Sequence, residues 1–420
     1  GLFFLPTTLF VALLFLLPPI FHGFWLIRKD YFSNKWNIAF LLCGVVILIN
    51  SLLQRFIVPN YLQIVDYDGG IWDPNLTLIG LINWVPFFVI FPSFQPYLNS
   101  RKLRKNAALA ILIGSFPVVI VSLGHYFFKW EGPLEIFNGL IIWFLKPVME
   151  RGGVGGIFSN QNYAGSWLVF VWPFCIALLL DKTKNLFKKT FSISFLIALA
   201  TASFLTNSRS AWGGILISMP IVIGYQSFLW FLPLLVCIFF VLFICISDIF
   251  SGPLQDFIRQ RLSDKVWLEF SKEGFSGLEV SRLGIFIKAL EIIKIKPLLG
   301  LGAGAFPFYF ALETNLWKGH SHNLLAELAI SYGLPVTIIF CLTVSLILFK
   351  SGKIIFFPQD KNLKFDYFER AWWSSIFIFL ISQLVDIQYF EGRISLMFWI
   401  LLAGLKSIIS ENESNNYQNL

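Results

Sequence analysis

Two histidines near the end of a long polar segment are the first candidates for chemistry. His320 and His322 lie in KGHSHNLLAELAISYGLP, with Asn323 directly after them and Glu327 about one helical turn further on. A neutral imidazole takes up a proton near pH 7, so either ring could act as a general base towards a hydroxyl group. A single histidine usually has a structural role. Two of them at the entrance of an apolar segment also predict a catalytic one.

The same segment argues against a metal site. Two histidines separated by one residue do not share a helical face, and neither an HExxH motif nor a third ligand is apparent in the sequence. We therefore expect no metal and no cofactor. Glu327 could orient one of the imidazoles, and the alternative for it is a solvated carboxylate at the membrane interface.

Two arginines occur where they could bind an anion. Arg209 lies in TNSRSAWGG among small polar residues, which favours a closely packed polar site. The alternative is an interfacial anchor, whose long side chain extends to the membrane surface. Arg282 begins a stretch that separates into two faces when residues 281–294 are placed on a helix. The polar face would hold Ser281, Gly284, Lys288, Glu291 and Lys294, and the apolar face Leu283, Phe286, Ala289, Leu290 and Ile293.

Arg282 would project into the middle of that apolar face. Its alternative is a harmless position in the first helical turn. Otherwise the helix lies along the membrane or protein surface and aims a guanidinium group inwards. The planar guanidinium fork matches a phosphate group with two parallel hydrogen bonds.

Two further motifs are better explained without a cofactor. Asp66, Asp68 and Asp73 lie in DYDGGIWD. A DxD pair could hold a metal on a sugar diphosphate, but the segment fails the calcium-loop pattern, and we expect solvated carboxylates around a glycine turn. The glycines of PLLGLGAGAF lack a βαβ context, so they predict a flexible loop instead of a nucleotide site.

The elements that must position these residues are predicted to be membrane helices. The chain is 57% hydrophobic and only 13% charged, with a mean hydropathy of +0.73, whereas soluble domains carry roughly 25% charged residues. The five cysteines lie in apolar stretches without CxxC spacing, which indicates small hydrophobic side chains that form neither a disulfide framework nor a zinc site. The net charge of +8 does not require nucleic acid, because membrane proteins collect basic residues on one side.

About eleven apolar stretches have the length of a membrane span. They lie near 6–27, 37–54, 76–98, 107–128, 163–180, 191–206, 212–225, 228–247, 323–349, 371–386 and 394–408. We predict an all-α polytopic transmembrane bundle that forms a single membrane domain over residues 1–420. It includes a long outer loop at 250–321 with amphipathic helices and a disordered cytoplasmic tail at 411–420. Gly333 and Pro335 predict a kink in the ninth span.

Basic residues orient the bundle. They concentrate in alternate loops, at 28–35, 99–106, 181–190 and 350–366. The other short loops hold few of them: Arg55, Lys129, Lys146, Arg151, Arg209 and Arg393. The positive-inside rule makes the first set cytoplasmic, so the candidate residues lie on the outer face. The first span then ends in the cytoplasm, and we expect an earlier span before Gly1, about twelve in the intact protein.

Four motifs together resemble a known family. RGGVGGIFSNQNYAG (151–165), NSRSAWGG (207–214), SRLGIFIKAL with PLLGLGAGAF (281–306) and HSHNLLAELAISYGLP (320–335) are similar to the O-antigen ligase/polymerase superfamily. The pattern of His322 and Asn323 followed by Gly333 matches the ligase motif. Val336 departs from it, since the family often has Gly, Thr or Tyr there. The motifs cover roughly residues 150–340.

The resemblance implies an inverting, metal-independent glycosyltransferase that uses a polyprenyl-diphosphate-linked glycan. Arg209 and Arg282 would bind the diphosphate, and His322 would activate the acceptor hydroxyl. Possible supporting residues are His320, Asn323, Glu327, Arg151 and Asn162. The acceptor would be a glycan, lipid or protein, membrane lipids would surround the chain, and no nucleic acid is expected. The implied location is a bacterial inner membrane, with the active site on the periplasmic side.

Two alternatives remain at this point. A polymerase would join the same donor to a second lipid-linked glycan. A transporter of a small anion such as bicarbonate would use intramembrane charges differently. The sequence shows no inverted repeat or paired broken helices, and the candidate residues cluster on one face, which disfavours transport.

Overall fold

The computed structural model describes residues 1–56, 72–139, 141–148, 152–181, 186–262, 281–358 and 366–418. The helices of the first half are α1 (Leu9–Ile27), α2 (Lys35–Phe56), α3 (Leu76–Gly80), α4 (Val85–Phe94), α5 (Arg101–Gly114), α6 (Phe116–Phe127), α7 (Gln161–Leu180) and α8 (Leu186–Leu205). Those of the second half are α9 (Arg209–Ile223), α10 (Phe228–Ile246), α11 (Pro253–Arg259), α12 (Arg282–Ile293), α13 (Phe306–Thr314), α14 (Leu324–Tyr332), α15 (Leu334–Phe356), α16 (Tyr367–Ser382) and α17 (Gly392–Gln418). Strands β1 (Gly132–Ile136) and β2 (Ile141–Leu145) form an antiparallel hairpin.

The fold prediction is confirmed as a polytopic helical membrane protein. Within the described residues, nine helical segments are long and apolar enough to cross a membrane. Each of the predicted spans coincides with a helical segment. The seventh corresponds to α9, with 15 residues, and the tenth to α16, with 16, so these two fall short of a typical span.

The predicted ninth span is divided at Gly333 into α14 and α15. Gly333 has a φ of +90°, a region that side chains other than glycine rarely adopt. A β-carbon there would also overlap the carbonyl oxygen of Leu298. The sequence predicted a kink, and the structure has a full break. The break separates a short helix that carries the histidine loop from the long membrane helix α15.

The core is formed by α7 and α17, while α10 lies at the periphery. In the apolar stretch of each helix, 78% of the residues are buried in α7 and 83% in α17, against 17% in α10. α7 packs against α8, α9 and α16. Trp399 of α17 is fully buried among aromatic rings, including Phe40 at 4.9 Å. The site described below is therefore built on the ends of the most firmly packed helices.

A buried ion cluster joins three helices at the end that carries the basic loops. Arg104 of α5 is 2% exposed. It donates to Glu369 of α16 at 2.7 Å and to Glu411 of α17 at 2.6 Å. The tail from residue 411, predicted to be disordered, is helical as far as Gln418. Because α17 continues, Glu411 can reach the cluster.

The hairpin β1–β2 was not predicted by the all-α interpretation. Its residues alternate between half-buried and exposed positions, which is the pattern of a strand with one packed face. Trp143 Nε1 donates to the carbonyl oxygen of Thr7 at 2.9 Å, and Leu145 is fully buried. The hairpin therefore packs on the bundle directly before the glycine-rich motif that leads into α7.

The glycine loop between α12 and α13, predicted to be flexible, is tightly packed. Gly300, Gly302 and Gly304 all have positive φ. The carbonyl of Gly300 accepts from Gln54 Nε2 at 2.7 Å, and Leu301 N donates to Ile330 O at 2.6 Å. The loop thus joins α2 to α14, and its glycines allow its backbone to lie close to the neighbouring elements.

Candidate active site

A buried carboxylate, Asp386, is the centre of the candidate site. It lies in the loop between α16 and α17 and is 5% exposed. Oδ1 accepts from His322 Nδ1 at 2.8 Å and from the backbone N–H of Ile387 at 3.1 Å. Oδ2 accepts from Asn162 Nδ2 at 2.9 Å and lies 3.9 Å from Arg282 Nη2. Three residues from distant motifs therefore meet on one side chain.

The charge of Asp386 is stabilised by this arrangement. Burial alone would raise its pKa, but the hydrogen bond from His322 and the positive charge of Arg282 offset burial, so the pKa lies below its ordinary value. An ionised carboxylate can only accept hydrogen bonds. His322 Nδ1 must then carry the proton of the neutral imidazole. The other ring nitrogen, Nε2, keeps a lone pair that can accept a proton.

The backbone at His322 is in the left-handed region, with a φ of +55°. Such a conformation is uncommon outside glycine and occurs at functional sites where the surroundings hold it. His320 helps to stabilise this backbone conformation. Its Nδ1 accepts from the backbone N–H of His322 at 3.2 Å, and the centroids of the two rings lie 4.2 Å apart. Burial, together with the neighbouring His322, lowers the pKa of His320 to about 4. His320 is therefore neutral at pH 7.

Glu327 and Asn323 fasten the histidine loop. Glu327 is 6% exposed, which contradicts the solvated alternative. Its Oε2 accepts from the backbone N–H of Ser321 at 2.9 Å, so it holds the loop between the histidines, while Asp386 is the carboxylate that orients His322. Asn323 caps α14 by accepting from Ala326 N at 3.0 Å. Its amide donates to Leu384 O at 3.0 Å, which ties this loop to the loop of Asp386.

Arg282 is the first residue of α12, whose start is capped by Ser281 through the N–H of Gly284 at 3.1 Å. The helix buries Ile285, Ala289, Ile292 and Ile293. Leu283 and Leu290, predicted on the apolar face, are exposed, whereas Ala289 and Ile293 of the same predicted face are buried. The packed face is rotated because α12 lies against α14. Arg282 stands at its edge, 37% exposed and directed at Asp386.

Asn162 reaches Asp386 from the first turn of α7. Asn160 caps that helix by accepting from the N–H groups of Asn162 and Tyr163 at 2.8 and 3.3 Å. Gln161 accepts from the backbone N–H of Gly153, so the preceding glycine-rich loop is held to the same turn. The motif in 151–165 therefore serves to place one amide on the central carboxylate.

Arg209 begins α9 at the same end of the bundle. Its neighbour Ser210 lines a small cavity together with Ser166 of α7 and Ser382 of α16, and Asp386 follows four residues after Ser382. The first turn of α9 is packed closely, since Ser208 lies against Gly165. The structure thus places Arg209 beside the helices that carry the site, while its contact with a diphosphate stays a prediction.

Three residues considered in the sequence, Arg151, Asp66 and Asp68, lie outside the described residues. Asp73 is described and caps a turn by accepting from Asn75 N at 2.8 Å. The predicted glycine turn at residues 69–70 also lies outside the described residues.

Sequence reasoning missed Asp386 itself. It lies in SQLVDIQYF at the end of the predicted tenth span. The available signal was a carboxylate at the end of a span, on the same predicted side as the two histidines. The positive-inside rule concerns only basic residues, so it gives no weight to an acidic one. Asp386 also supplies the third potential metal ligand that the sequence lacked, because ligand atoms of His320, His322 and Asp386 lie within 4.8 Å of one another.

These features define a multi-pass helical membrane protein with a charged site where the ends of several helices meet. Residues 193–341 match the family described as O-antigen ligase. The match covers about a third of the chain and supports an assignment to the O-antigen ligase/polymerase superfamily, which the motifs also predicted. No curated protein matches the chain. The matched segment includes Arg209, Arg282 and His322, whereas Asn162 and Asp386 lie outside it.

Proposed function

We propose that this protein is a ligase that transfers a glycan from a polyprenyl-diphosphate donor to an acceptor hydroxyl group, with inversion and without a metal. The observation that supports this most directly is the hydrogen bond between His322 and Asp386, with Arg282 on the second carboxylate oxygen. It combines a general base with a positive charge in one place. Those are the two requirements for displacing a diphosphate with an alcohol.

His322 acts as the general base. The acceptor oxygen forms a bond to the anomeric carbon of the donor while its proton passes to Nε2 of His322. Asp386 holds Nδ1 protonated and stabilises the imidazolium that forms. The ring is 26% exposed, so a substrate can reach it without a large movement of the loop.

Arg282 and Arg209 stabilise the leaving group. As the bond between the anomeric carbon and the phosphate oxygen breaks, negative charge grows on the diphosphate. A guanidinium group aimed at that charge stabilises the transition state more than the ground state. A single displacement of this kind places the new bond on the opposite face of the sugar, which is inversion.

The position of the site suits a lipid-linked donor. Arg282 lies at the start of α12, whose exposed Leu283, Ile287 and Leu290 form an apolar stripe. A helix with such a stripe can lie in the membrane interface, where the diphosphate of a polyprenyl lipid is found. With the predicted orientation, this interface is the periplasmic side of the inner membrane. A polymerase would use the same groups with a second lipid-linked glycan as acceptor.

Transfer in liposomes tests the proposal. Purified protein is reconstituted with a polyprenyl-diphosphate glycan, and separate reactions receive a lipid acceptor or only further donor. We expect product with the lipid acceptor, and His322→Ala should lower its rate by about 10²–10⁴-fold. His22→Ala, a histidine on α1 hydrogen-bonded to Tyr97, is the matched control.

Three results would count against parts of this proposal. A wild-type rate for His322→Ala contradicts the assignment of the base. Product formed only from donor molecules identifies a polymerase. Uptake of a small anion by the liposomes, without any transfer, identifies a transporter.

A further inference from the structure

We propose that His320, His322 and Asp386 form a binding site for Zn²⁺, and that occupation of this site blocks glycan transfer. The inhibitory part rests on the proposed role of His322 as the base. The binding part rests on geometry alone.

The three side chains are spaced for a transition metal. Their ligand atoms lie within 4.8 Å of one another, and His322 Nδ1 is already 2.8 Å from Asp386 Oδ1. Zn²⁺ with bonds of about 2.0–2.2 Å in tetrahedral geometry requires ligand atoms about 3.3–3.5 Å apart. Binding therefore requires the His320 ring to move closer and the His322–Asp386 pair to separate slightly, which brings three ligands together and leaves a fourth position open.

The ligand set selects the kind of metal. Two imidazoles and one carboxylate suit Zn²⁺ and related transition metals. Mg²⁺ and Ca²⁺ prefer oxygen ligands and higher coordination numbers. We therefore expect these two ions to bind poorly at this site.

The loops that carry the ligands are already held in place. The histidine loop is fastened by Glu327 through Ser321 N and by Leu324 N, which donates to Gln383 O at 2.9 Å. Asp386 is held by Asn162 and by its own loop. Partners of this kind orient metal ligands and strengthen binding.

Arg282 opposes the metal but does not exclude it. Its guanidinium lies 3.9 Å from Oδ2 of Asp386, whereas His322 occupies Oδ1. Because Arg282 is 37% exposed, it can turn towards solvent when a dication arrives. The repulsion should reduce the affinity, so we expect binding in the micromolar range.

Metal binding removes the base whichever ring nitrogen it uses. A neutral imidazole carries one proton and one lone pair. If the metal takes the lone pair of either nitrogen of His322, the other nitrogen must carry the proton. No position then remains that can accept the proton of the acceptor hydroxyl.

Direct binding is measured first. Protein purified in detergent is stripped with EDTA, the chelator is removed, and Zn²⁺ is titrated in competition with a chromophoric zinc chelator. We expect one equivalent to bind with micromolar affinity, weakened at least ten-fold in His320→Ala, His320→Gln and Asp386→Asn and unchanged in His22→Ala. Binding that is absent, or equally strong in folded His320→Ala and His320→Gln, overturns the site.

Inhibition is measured in the liposome assay with the stripped protein as reference. Zn²⁺ should lower the rate at the concentration where it binds, and EDTA should restore it. His320→Gln, compared with its own zinc-free rate, should require at least ten-fold more Zn²⁺. Stimulation by Zn²⁺, or equal sensitivity of both proteins, overturns the inhibitory role. If the wild type transfers nothing, the proposed function fails, and the binding titration still decides the metal site.

Discussion

At the scale of single residues, the candidate site depends on the buried carboxylate of Asp386. It accepts hydrogen bonds from His322, Ile387 N and Asn162, and it lies opposite Arg282. The ion pair with Arg282 is long and half open to solvent, so its contribution to stability is small. The importance of Asp386 lies in orienting the imidazole and in setting which nitrogen carries the proton.

Asp386→Asn should therefore reduce catalysis without unfolding the protein. An amide has a single acceptor oxygen and no charge. It therefore cannot accept all the hydrogen bonds that Asp386 accepts, and it cannot stabilise an imidazolium. We expect kcat to fall by about 10²-fold or more, with little change in KM for the donor. Asp256→Asn, at an exposed position on α11, is the control. An unchanged kcat in a folded variant would remove Asp386 from the mechanism.

Arg282→Lys tests whether the shape of the cation matters as well as its charge. An ammonium group keeps the charge but loses the planar pair of donors. We expect kcat to fall by about 10²-fold, the scale found when one charge-stabilising donor is removed. The matched change is Lys288→Arg on the same helix, where the ion pairs with Glu291 and Glu313 tolerate either cation. Equal rates for both variants would show that Arg282 acts only as a point charge.

At the scale of elements, loops between helices position the chemistry. The histidine loop ends in the capping residue Asn323, and the loop of Asp386 receives a hydrogen bond from that same side chain. The break at Gly333 keeps α14 separate from α15. It lets the short helix lie against α12, which carries Arg282.

Gly333→Ala should weaken this arrangement. The positive φ strains any residue with a β-carbon, and the added atom would also overlap Leu298 O, so we expect a cost of about 1–3 kcal/mol. Thermal unfolding in detergent should show a lower Tm, together with reduced transfer. Gly213→Ala is the control, because Gly213 lies within α9 and a β-carbon there meets no atom within 4 Å apart from the helix's own backbone. Equal Tm values for the two variants would contradict the proposed need for the break.

At the scale of the whole molecule, the two ends of the bundle carry different clusters of charged residues. The Arg104 cluster with Glu369 and Glu411 lies at the end with the basic loops, whereas Asp386, His322 and Arg282 meet at the other. The contacts thus agree with the alternation of loops in the sequence. Which end faces the cytoplasm is still a prediction from the positive-inside rule.

Cysteine labelling decides the orientation. In a background without the five native cysteines, Lys102→Cys and Lys288→Cys are exposed to a membrane-impermeant maleimide on intact spheroplasts. We expect Lys288→Cys to react directly and Lys102→Cys only after permeabilisation. The reverse pattern would overturn the orientation and move the proposed site to the cytoplasmic face.

Much of the architecture could be read from the sequence. Apolar runs of membrane length locate helices because a buried backbone must satisfy its own hydrogen bonds. The predicted spans accordingly coincide with helices. The hairpin β1–β2 escaped prediction because two short alternating strands give a weak signal within an apolar chain. The helical continuation to Gln418 depends on a partner, Arg104, that is distant in sequence.

For the site, the sequence determined the identities of His322, Arg209 and Arg282 as candidates, because their types and neighbours carry local chemical meaning. It also determined that they share one predicted side of the membrane. Only the tertiary structure decided that Asp386, and not Glu327, orients His322, and that Asn162 completes the carboxylate's hydrogen bonds. These contacts join residues 64 and 224 positions apart. The packing of α7, α14 and α16 sets such distances, and no local pattern in the chain encodes them.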